Sequence, residues 1–548
     1  MTTTIYTNAT VFTADTDGTT TGAFAVTDGK FSAVGSVERV REVVGKTVTE
    51  VDLRGRFIAP GIIDSHTHLA SFGTALGKAQ LRDCQTLGEI QDRLLQWLDQ
   101  NPGAPRVLGG GWLFDSVGDT HPTAAMLDEV LPDIPVYLDA NDLHSTWVNS
   151  AALREAGIDR DTPNPVGGEI ARNAAGEATG LLYETAGRKY ARDFLERIST
   201  PQDHVQALEL AFDAYLRSGV TSVTDMALTE AEITALRTIL ARDGRLPFPI
   251  TGHVLMVAQP DLDENEAQVS RTVDLRDELS TSGEDRWFRI AGVKFIMDGV
   301  IDAKTATMCC PYADGTNADP IWDAERMKPV AATADAAGLQ IAMHAIGDRT
   351  SEIAIEVLEH CAAENRSDIR SRRHRVEHLE TVTDDTIRRM AELGTVASMQ
   401  PVHSDPAIME NWKAVLGDER QERGFPWHKF RDAGIPMTLG TDAPTAPHEA
   451  LPNLYIALTG GSSLSPSLPP YHPERAFTPA EALTALTAGG AYAGHMDSTG
   501  QIRPGFQANF IELDVNPLEV DPREILEAEV VATYVLGERT HTSTTDKN

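Results

Sequence analysis

The sequence predicts an α/β protein: a (β/α)8 TIM barrel, with a small β-sandwich formed from both chain termini and a large insertion after the first barrel strand. Three observations predict this fold. Eight short apolar segments alternate with helix-like segments, as parallel βα units require. Turn-rich alternating segments occupy both ends of the chain. The stretch between the first two apolar segments is far longer than an ordinary βα connection.

The eight apolar segments are the expected barrel strands, and the helical segments between them are expected to form the outer ring. The strands are predicted at Ile58–Ser65, Val220–Asp225, Ile250–Met256, Ala291–Asp298, Leu339–His344, His374–His378, Thr395–Gln400 and Pro436–Asp442. Among the helices are Pro201–Ser218, Pro329–Ala337 and Asp348–Glu364.

The two ends of the chain read as short strands separated by turns. Asp28-Gly29 between two alternating segments indicates a hairpin, and Ala508–Leu513 and Val530–Leu536 are matching strands near the C-terminus. Because a few N-terminal strands alone make too small a sheet, we expect one sandwich from both ends. Residues 538–548 are expected to be a frayed tail.

These elements predict three regions along the chain. We expect residues 1–58 and 485–540 to form the sandwich and residues 59–484 to form the barrel domain. Residues 72–200 are expected to form an inserted subdomain that covers the barrel mouth and selects the substrate.

The composition argues against several classes of protein. The 81 acidic residues outnumber the 47 basic ones and give a net charge of −34, whereas nucleic-acid binding needs a basic face. The N-terminus lacks the apolar run of a signal peptide, and no stretch approaches the roughly 18 apolar residues of a membrane span. We therefore expect a cytoplasmic protein with a small-molecule partner, and neither nucleic acid nor a membrane.

Metal-type ligands stand at the ends of the predicted strands, where the functional groups of a TIM barrel lie. His66 and His68 end the first strand, His344 the fifth, His378 the sixth and Asp442 the eighth. Residues i and i+2 of a strand share a face about 7 Å apart, so two imidazoles can converge on one ion. Singly, such histidines are more often surface or core residues, and an aspartate can cap a helix. As an ordered set they predict a metal centre.

Lys294 lies in an apolar strand, Gly292-Val293-Lys294-Phe295-Ile296. Burying an ammonium is costly unless it is paired or neutralised. One interpretation is a buried lysine–carboxylate pair. The other is a neutral amine that captures carbon dioxide, which gives an anionic carbamate able to bridge two divalent ions.

This set predicts a definite chemistry. Two ions about 3.5–4 Å apart would hold a hydroxide that attacks a carbonyl carbon. Asp442 would take the proton and pass it to the leaving nitrogen as a general acid–base. Imidazole and carboxylate ligands suit zinc, with manganese, iron and cobalt as alternatives.

Longer motifs, such as LRGRFIAPGIIDSHTH and STGQIRPGFQANFIELD, resemble the amidohydrolase superfamily over essentially the whole chain. The sequence is most similar to its "amidohydrolase 3" branch, which includes N-substituted formamide deformylases. The branch features are Gly110-Gly111-Trp112, His121-Pro122-Thr123, HSTWVNS, Gly167-Gly168-Glu169-Ile170 and Val376-Glu377-His378. The resemblance implies a metal centre of one or two ions and a homodimer. The implied metal ligands are His66, His68, Lys294, His344, His378 and Asp442.

Five residues are candidate substrate contacts. Trp112 and His144 lie in the insertion, His403 follows the seventh strand, and Lys304 stands where the branch typically has arginine. Arg349 is a fifth candidate, with an ion pair at the start of a helix as its alternative. Because the loop around Lys304 departs from the branch, a carried-over substrate is less secure than the metal centre.

Three hypotheses about function follow. The first is hydrolysis of a non-peptide amide-type C–N bond, with an N-substituted formamide as the substrate that the branch resemblance favours. The second is a mononuclear aminohydrolase acting on a heterocycle, a chemistry that does not require Lys294. The third is a catalytically silent regulatory relative, which would be expected to have lost ligands, whereas all six positions are filled.

Overall fold

In the computed structural model, described for residues 3–15, 18–45, 48–118, 121–141, 144–366, 368–409 and 411–543, a parallel sheet forms a nearly closed barrel. Within these residues the sheet has eight strands, and each pairs with the next one along the chain. The strands are Ile62–Thr67, Val220–Leu228, Ile250–Met256, Phe288–Ile296, Gln340–Ala345, Arg375–His378, Val396–Met399 and Met437–Leu439. The predicted fold class is confirmed.

Helices follow the barrel strands. They include Pro201–Arg217, Glu230–Asp243, Leu262–Ser282, Ala324–Ala336, Asp348–Asn365, Asp384–Leu393, Trp427–Asp432, Ala450–Thr459 and Pro479–Thr484. The helix predicted to start at Pro329 begins earlier, at Ala324, because Asp323 caps it by accepting a hydrogen bond from Arg326 N at 2.9 Å.

The first predicted strand, Ile58–Ser65, was wrong in its bounds. Phe57–Pro60 is a strand of a terminal sheet, and the barrel strand starts at Ile62. Gly61 separates the two, and its N–H donates to Asn509 O at 2.9 Å. A Cβ at Gly61 would lie 2.1 Å from Thr221 Oγ1, so only glycine fits where the chain passes from one sheet to the other.

The two ends of the chain form two further sheets, as predicted. One contains the strands Lys30–Gly35, Ala23–Thr27, Thr3–Thr7 and Thr49–Asp52. The other contains Glu538–Thr542, Val530–Val535, Phe510–Leu513, Phe57–Pro60, Thr10–Phe12 and Thr20–Thr21. Buried side chains of both sheets, among them Phe24 and Phe510 with ring centroids 5.0 Å apart, form one core.

The predicted frayed tail is corrected in part. Residues 538–542 form an edge strand that pairs with Val530–Val535, because alternating threonines with high β-propensity continue past the Gly537 turn. Residues 544–548 lie outside the described part of the chain.

The chain divides into two compact units, residues 1–69 with 212–548, and residues 70–211. The second unit contains a sheet of the strands Gly168–Arg172, Ala178–Glu184, Ser145–Val148, Val136–Ala140, Val107–Trp112 and Ala79–Gln80. Its helices include Leu87–Gln100 and Ser150–Glu155. Among the described residues, no helix is long and apolar enough to span a membrane.

Asp64 holds the first and last barrel strands together. Its Oδ1 accepts hydrogen bonds from Thr441 N at 3.0 Å and His66 N at 3.2 Å. Its Oδ2 accepts from Thr441 Oγ1 at 2.5 Å and from Tyr215 Oη at 3.0 Å. The carboxylate is buried, so all four donors depend on it.

We expect Asp64→Asn to destabilise the barrel by about 2–5 kcal/mol, because an amide nitrogen would face two buried donors and each unmet bond costs about 1–3 kcal/mol. The midpoint of urea unfolding, followed by tryptophan fluorescence, measures the effect. Asp497→Asn is the control: its carboxylate is exposed and pairs with Arg373 at 2.7 Å, and a surface pair contributes under about 1 kcal/mol. Equal midpoints for the two variants would contradict this account of closure.

Candidate metal centre

The predicted ligands come together at the carboxyl ends of the barrel strands. The ring centroids of His66 and His68 are 5.6 Å apart, those of His66 and His378 are 4.8 Å apart, and those of His344 and His378 are 4.3 Å apart. Lys294 lies in the fourth strand, and Asp442 follows the eighth. The strand-end pattern therefore becomes a single cluster in space.

His66 is held by a buried ion pair. Its Nδ1 lies 2.7 Å from Glu377 Oε2, and Arg375 Nε donates to Glu377 Oε1 at 2.6 Å. Although burial alone favours protonation, Arg375 and His66 hold the pKa of the Glu377 carboxyl well below its usual value. The carboxylate therefore accepts a hydrogen bond from Nδ1–H, and the neutral tautomer of this ring would carry its lone pair on Nε2.

The freed nitrogen faces Asp442. Asp442 Oδ1 lies 3.3 Å from His66 Nε2 and 3.2 Å from His68 Nε2. Among the described residues this buried oxygen has no aligned hydrogen-bond donor. Burial opposes ionisation, yet the neighbouring His66 and His68 rings hold the pKa of Asp442 well below its usual value. A cation bound between an imidazole lone pair and a carboxylate oxygen would stabilise this arrangement.

Lys294 completes this side of the cluster. Its side chain is 1% exposed, and Nζ lies 3.5 Å from His66 Nε2. Within the described part of the chain, no carboxylate forms an ion pair with it, so the predicted alternative of a lysine–carboxylate pair is not found. Burial lowers the pKa of Lys294 to about 8, while Glu377 and Asp442 act in the opposite direction.

His344 and His378 form the other side. Burial lowers the pKa of His344 to about 3, with a contribution from Lys294, and holds that of His378 well below its usual value. Both rings are therefore neutral, as metal ligation requires. His378 Nδ1 is buried without a hydrogen-bond partner among the described residues, whereas His344 Nε2 lies 3.2 Å from Gly299 O.

Two buried carboxylates near the cluster were not predicted. Asp298 accepts hydrogen bonds from Ile346 N at 3.1 Å and Gly347 N at 2.9 Å and thereby shapes the loop after His344. Asp225 lies within the second strand and accepts a hydrogen bond from Leu69 N at 2.9 Å; burial, with Glu232, raises its pKa to about 7. For both aspartates, the sequence pattern that could have identified them is a charged residue inside an apolar segment.

Two predicted substrate contacts are engaged in ion pairs. Arg349 Nη1 lies 2.5 Å from Glu352 and 3.1 Å from Glu356 along one helix, the structural alternative considered for this residue. Lys304 Nζ lies 2.6 Å from Asp314 and is partly exposed. The prediction of Arg349 as a substrate contact is corrected, because its guanidinium already forms ion pairs with two carboxylates of its own helix.

The two candidates in the insertion differ. Trp112 has no exposed surface, donates from Nε1 to Leu138 O at 3.0 Å and packs against Trp147. Its prediction as a pocket wall is corrected, since it belongs to the core of the insertion. His144 is exposed, with Nδ1 3.0 Å from Glu184 Oε2, and its role as a substrate contact stays a prediction.

His403 is the candidate that lies at the cluster. Its ring stacks on that of His378 with centroids 5.7 Å apart, its Nδ1 is 3.2 Å from Glu380 Oε1 and its Nε2 is 3.6 Å from Asp442 Oδ2. Glu380, which sequence reasoning missed, is buried beside it.

Comparison with known proteins gives a consistent result. The sequence profile of the amidohydrolase family matches residues 49–541. "Protein LONG AFTER FAR-RED 3" of Arabidopsis thaliana is 30% identical over 98% of this chain and 91% of its own length. "N-substituted formamide deformylase" of Arthrobacter pascens is 27% identical over 97% of this chain and 96% of its own length.

A solved structure is also similar to this chain. An uncharacterized metal-dependent hydrolase from Pyrococcus horikoshii superposes with a TM-score of 0.76 at 25% identity, over 95% of this chain and 99% of that one. The profile match covers most of the chain and includes all six candidate ligands. The chain therefore belongs to the amidohydrolase family and is a metal-dependent hydrolase of C–N bonds.

Proposed function

We propose that this protein hydrolyses a non-peptide amide bond, with an N-substituted formamide as the best-matched substrate, at a zinc centre. The observation that carries the proposal is the convergence of His66 Nε2, Asp442 Oδ1 and Lys294 Nζ in a buried site. The relative from Arthrobacter pascens supports the formamide. The residues that would hold the metal are His66, His68, Lys294, His344, His378 and Asp442.

The donor set fits zinc. Neutral imidazoles and a carboxylate are its usual nitrogen and oxygen ligands. One ligand atom from each of His66, His378 and Asp442 lies within 4.8 Å of the others. The Nε2 of His66 and Oδ1 of Asp442 both present lone pairs to the same space, so a cation there satisfies two buried groups at once.

Lys294 contributes as a carbamate in this proposal. Its neutral amine attacks carbon dioxide, a C–N bond forms as one C=O π bond breaks, and one N–H proton leaves to solvent, which converts a buried neutral amine into a buried anionic oxygen ligand. The position of Nζ beside His66, with no carboxylate paired to it among the described residues, supports this over a simple ion pair. Mass spectrometry of the intact chain tests for the carbamate, which should increase the mass by that of one carbon dioxide.

A divalent ion held by these residues would lower the pKa of a water molecule and polarise the substrate carbonyl. Asp442 would accept a proton from the attacking water and deliver it to the leaving nitrogen, so that one C–O bond forms and the C–N bond breaks. Glu377 keeps the His66 ring in one tautomer throughout. The products are an amine and formate, and the single added water balances the reaction.

We expect Lys294→Ala to lose metal and to hydrolyse N-benzylformamide more than about 100-fold more slowly, a greater effect than is typical of an outer partner of a ligand. Elemental analysis and hydrolysis of a small panel (N-benzylformamide, an N-acyl amino acid, a cyclic imide) measure both. Lys413→Ala is the control, since that side chain is exposed and pairs with Asp418 at 2.9 Å.

The outcomes separate the hypotheses. A wild-type protein that binds no metal and hydrolyses none of the panel would overturn the proposed function. If Lys294→Ala retains full metal content and activity, the lysine is not a ligand, and a mononuclear aminohydrolase becomes the better account.

The carboxylate behind His66 gives a second prediction. Glu377→Gln should lower zinc affinity by about 10 to 100-fold, because outer partners of ligating histidines typically contribute that much. Competition with a chromophoric chelator measures the affinity. The matched control is Glu359→Gln, whose carboxylate accepts two hydrogen bonds from Arg389 at 2.8 and 2.7 Å on the outer surface. Equal zinc affinities in the two variants would refute the role of Glu377.

A further inference from the structure

Gln400 is a buried polar residue at the carboxyl end of the barrel whose side chain is wholly unsatisfied. It is 2% exposed, and neither its Nε2 nor its Oε1 has a hydrogen-bond partner in the part of the chain that the structure describes. A carboxamide can donate two hydrogen bonds and accept two, and leaving such a group buried and unpaired destabilises a fold. The side chain is therefore expected to have a partner outside the chain.

The strand that carries Gln400 sets the direction of its side chain. Gln400 directly follows the seventh barrel strand, and its backbone stays extended, with φ −122° and ψ 95°. Side chains two residues apart on a strand share a face, so Gln400 points the same way as Ser398. Ser398 Oγ accepts a hydrogen bond from Arg375 Nη2 at 2.8 Å, and the same guanidinium pairs with Glu377, the partner of His66. Gln400 therefore lies on the inner face of the barrel, nearer its carboxyl end than Ser398.

The neighbouring strands place Gln400 beside the candidate metal centre. His378 ends the sixth strand and Asp442 follows the eighth, so the strand of Gln400 runs between those of two candidate ligands. Gly440 stands beside it on the eighth strand, where its N–H donates at 3.0 Å to the carbonyl of the residue before Gln400. A Cβ at Gly440 would lie 2.9 Å from His66 Cβ. This glycine thus separates Gln400 from the end of the first strand without a side chain of its own.

The backbone around Gln400 is fixed on both sides. His403 N donates to Gln400 O at 3.0 Å. Asn453 joins the two strand ends, because its Oδ1 accepts from Val402 N at 2.9 Å and its Nδ2 donates to Gly440 O at 3.0 Å. The unsatisfied carboxamide therefore stands on a rigid element, which is what precise placement of a substrate requires.

The proposed function provides a ligand with matching groups. A metal ion would satisfy Oε1 alone, because Nε2 of Gln400 is a donor, and an apolar group would satisfy neither atom. A secondary amide has one N–H donor and one carbonyl acceptor, so it can satisfy both atoms at once.

We propose that Gln400 binds the amide of the substrate, with Oε1 accepting a hydrogen bond from the substrate N–H and Nε2 donating one to the carbonyl oxygen. Both contacts form together when the N–H and C=O lie on the same side of the C–N bond, as in one rotamer of an N-substituted formamide. Tertiary amides lack the N–H and would leave Oε1 unpaired, so the site takes secondary amides and rejects tertiary ones. This inference rests on the proposed function and names the class of amide that the site selects.

A matched pair of substrates tests the selection on the zinc-loaded protein. The wild type should hydrolyse N-benzylformamide with a kcat/KM more than about 100-fold above that for N-benzyl-N-methylformamide, because a site that binds an N–H rejects the analogue without it. Gln400→Met replaces the carboxamide by an apolar chain of similar length. It should slow the first substrate and leave the second nearly unchanged, so that the preference falls below about 10-fold, while zinc content stays that of the wild type.

The stability of the substrate-free protein gives a readout that does not depend on activity. Gln400→Met removes two unsatisfied buried groups, so the midpoint of urea unfolding should rise. Gln340→Met is the matched control: Gln340 is equally buried at the amino end of the fifth strand. Its Oε1 lies 2.8 Å from His253 Nε2, and its Nε2 donates to Ala493 O at 2.8 Å. That variant should unfold at a lower urea concentration and keep the wild-type substrate preference.

Each result decides the question. An unchanged substrate preference in Gln400→Met would overturn the inference, and so would a lower urea midpoint, which would show that the side chain has a structural partner. A wild type that hydrolyses both formamides equally well would overturn it but leave the proposed function standing, whereas a wild type that hydrolyses neither would overturn both. If circular dichroism shows that Gln400→Met is unfolded, Gln400→Leu provides the same two comparisons.

Discussion

The closure of the barrel between its first and eighth strands determines where the centre lies. Asp442 N donates to His66 O at 2.7 Å, and His68 N donates to Ala443 O at 3.0 Å. These main-chain hydrogen bonds fix the register of the two strand ends, and the hydrogen bond from Thr441 N to Asp64 reinforces that register. The approach of Asp442 to the two histidines is therefore set by the backbone and does not depend on flexible side chains.

In the proposed function, the charged groups around this closure accommodate a cation. Arg375 neutralises Glu377 through a buried ion pair, while Asp442 faces imidazole nitrogens. Lys294 is buried beside them without an ion pair to a carboxylate in the described part of the chain. An unpaired buried ammonium is costly, whereas in the proposed function the carbamate of Lys294 and the carboxylate of Asp442 are the anionic groups that balance the metal ion.

The sequence predicts the barrel, the terminal sheets and the clustering of the six candidate ligands, because side chains at the carboxyl ends of the strands of a TIM barrel meet at one face. It does not predict Glu377 or Glu380 as partners of histidines, since each contact joins residues that are far apart in sequence. Trp112 was misassigned for a related reason: an aromatic residue in a glycine-rich strand has the same pattern whether it lines a pocket or fills a core. The boundary at Gly61 depended on Thr221, which is distant in sequence.

In the proposed centre, a metal ion lies between the ends of the first and eighth barrel strands. Anomalous X-ray diffraction at the zinc absorption edge, from crystals of the zinc-loaded protein, tests it most directly. We expect an anomalous peak about 2.1 Å from His66 Nε2 and at a similar distance from Asp442 Oδ1. A fully loaded crystal with no peak at these two atoms, or with its strongest peak elsewhere on the chain, would contradict it.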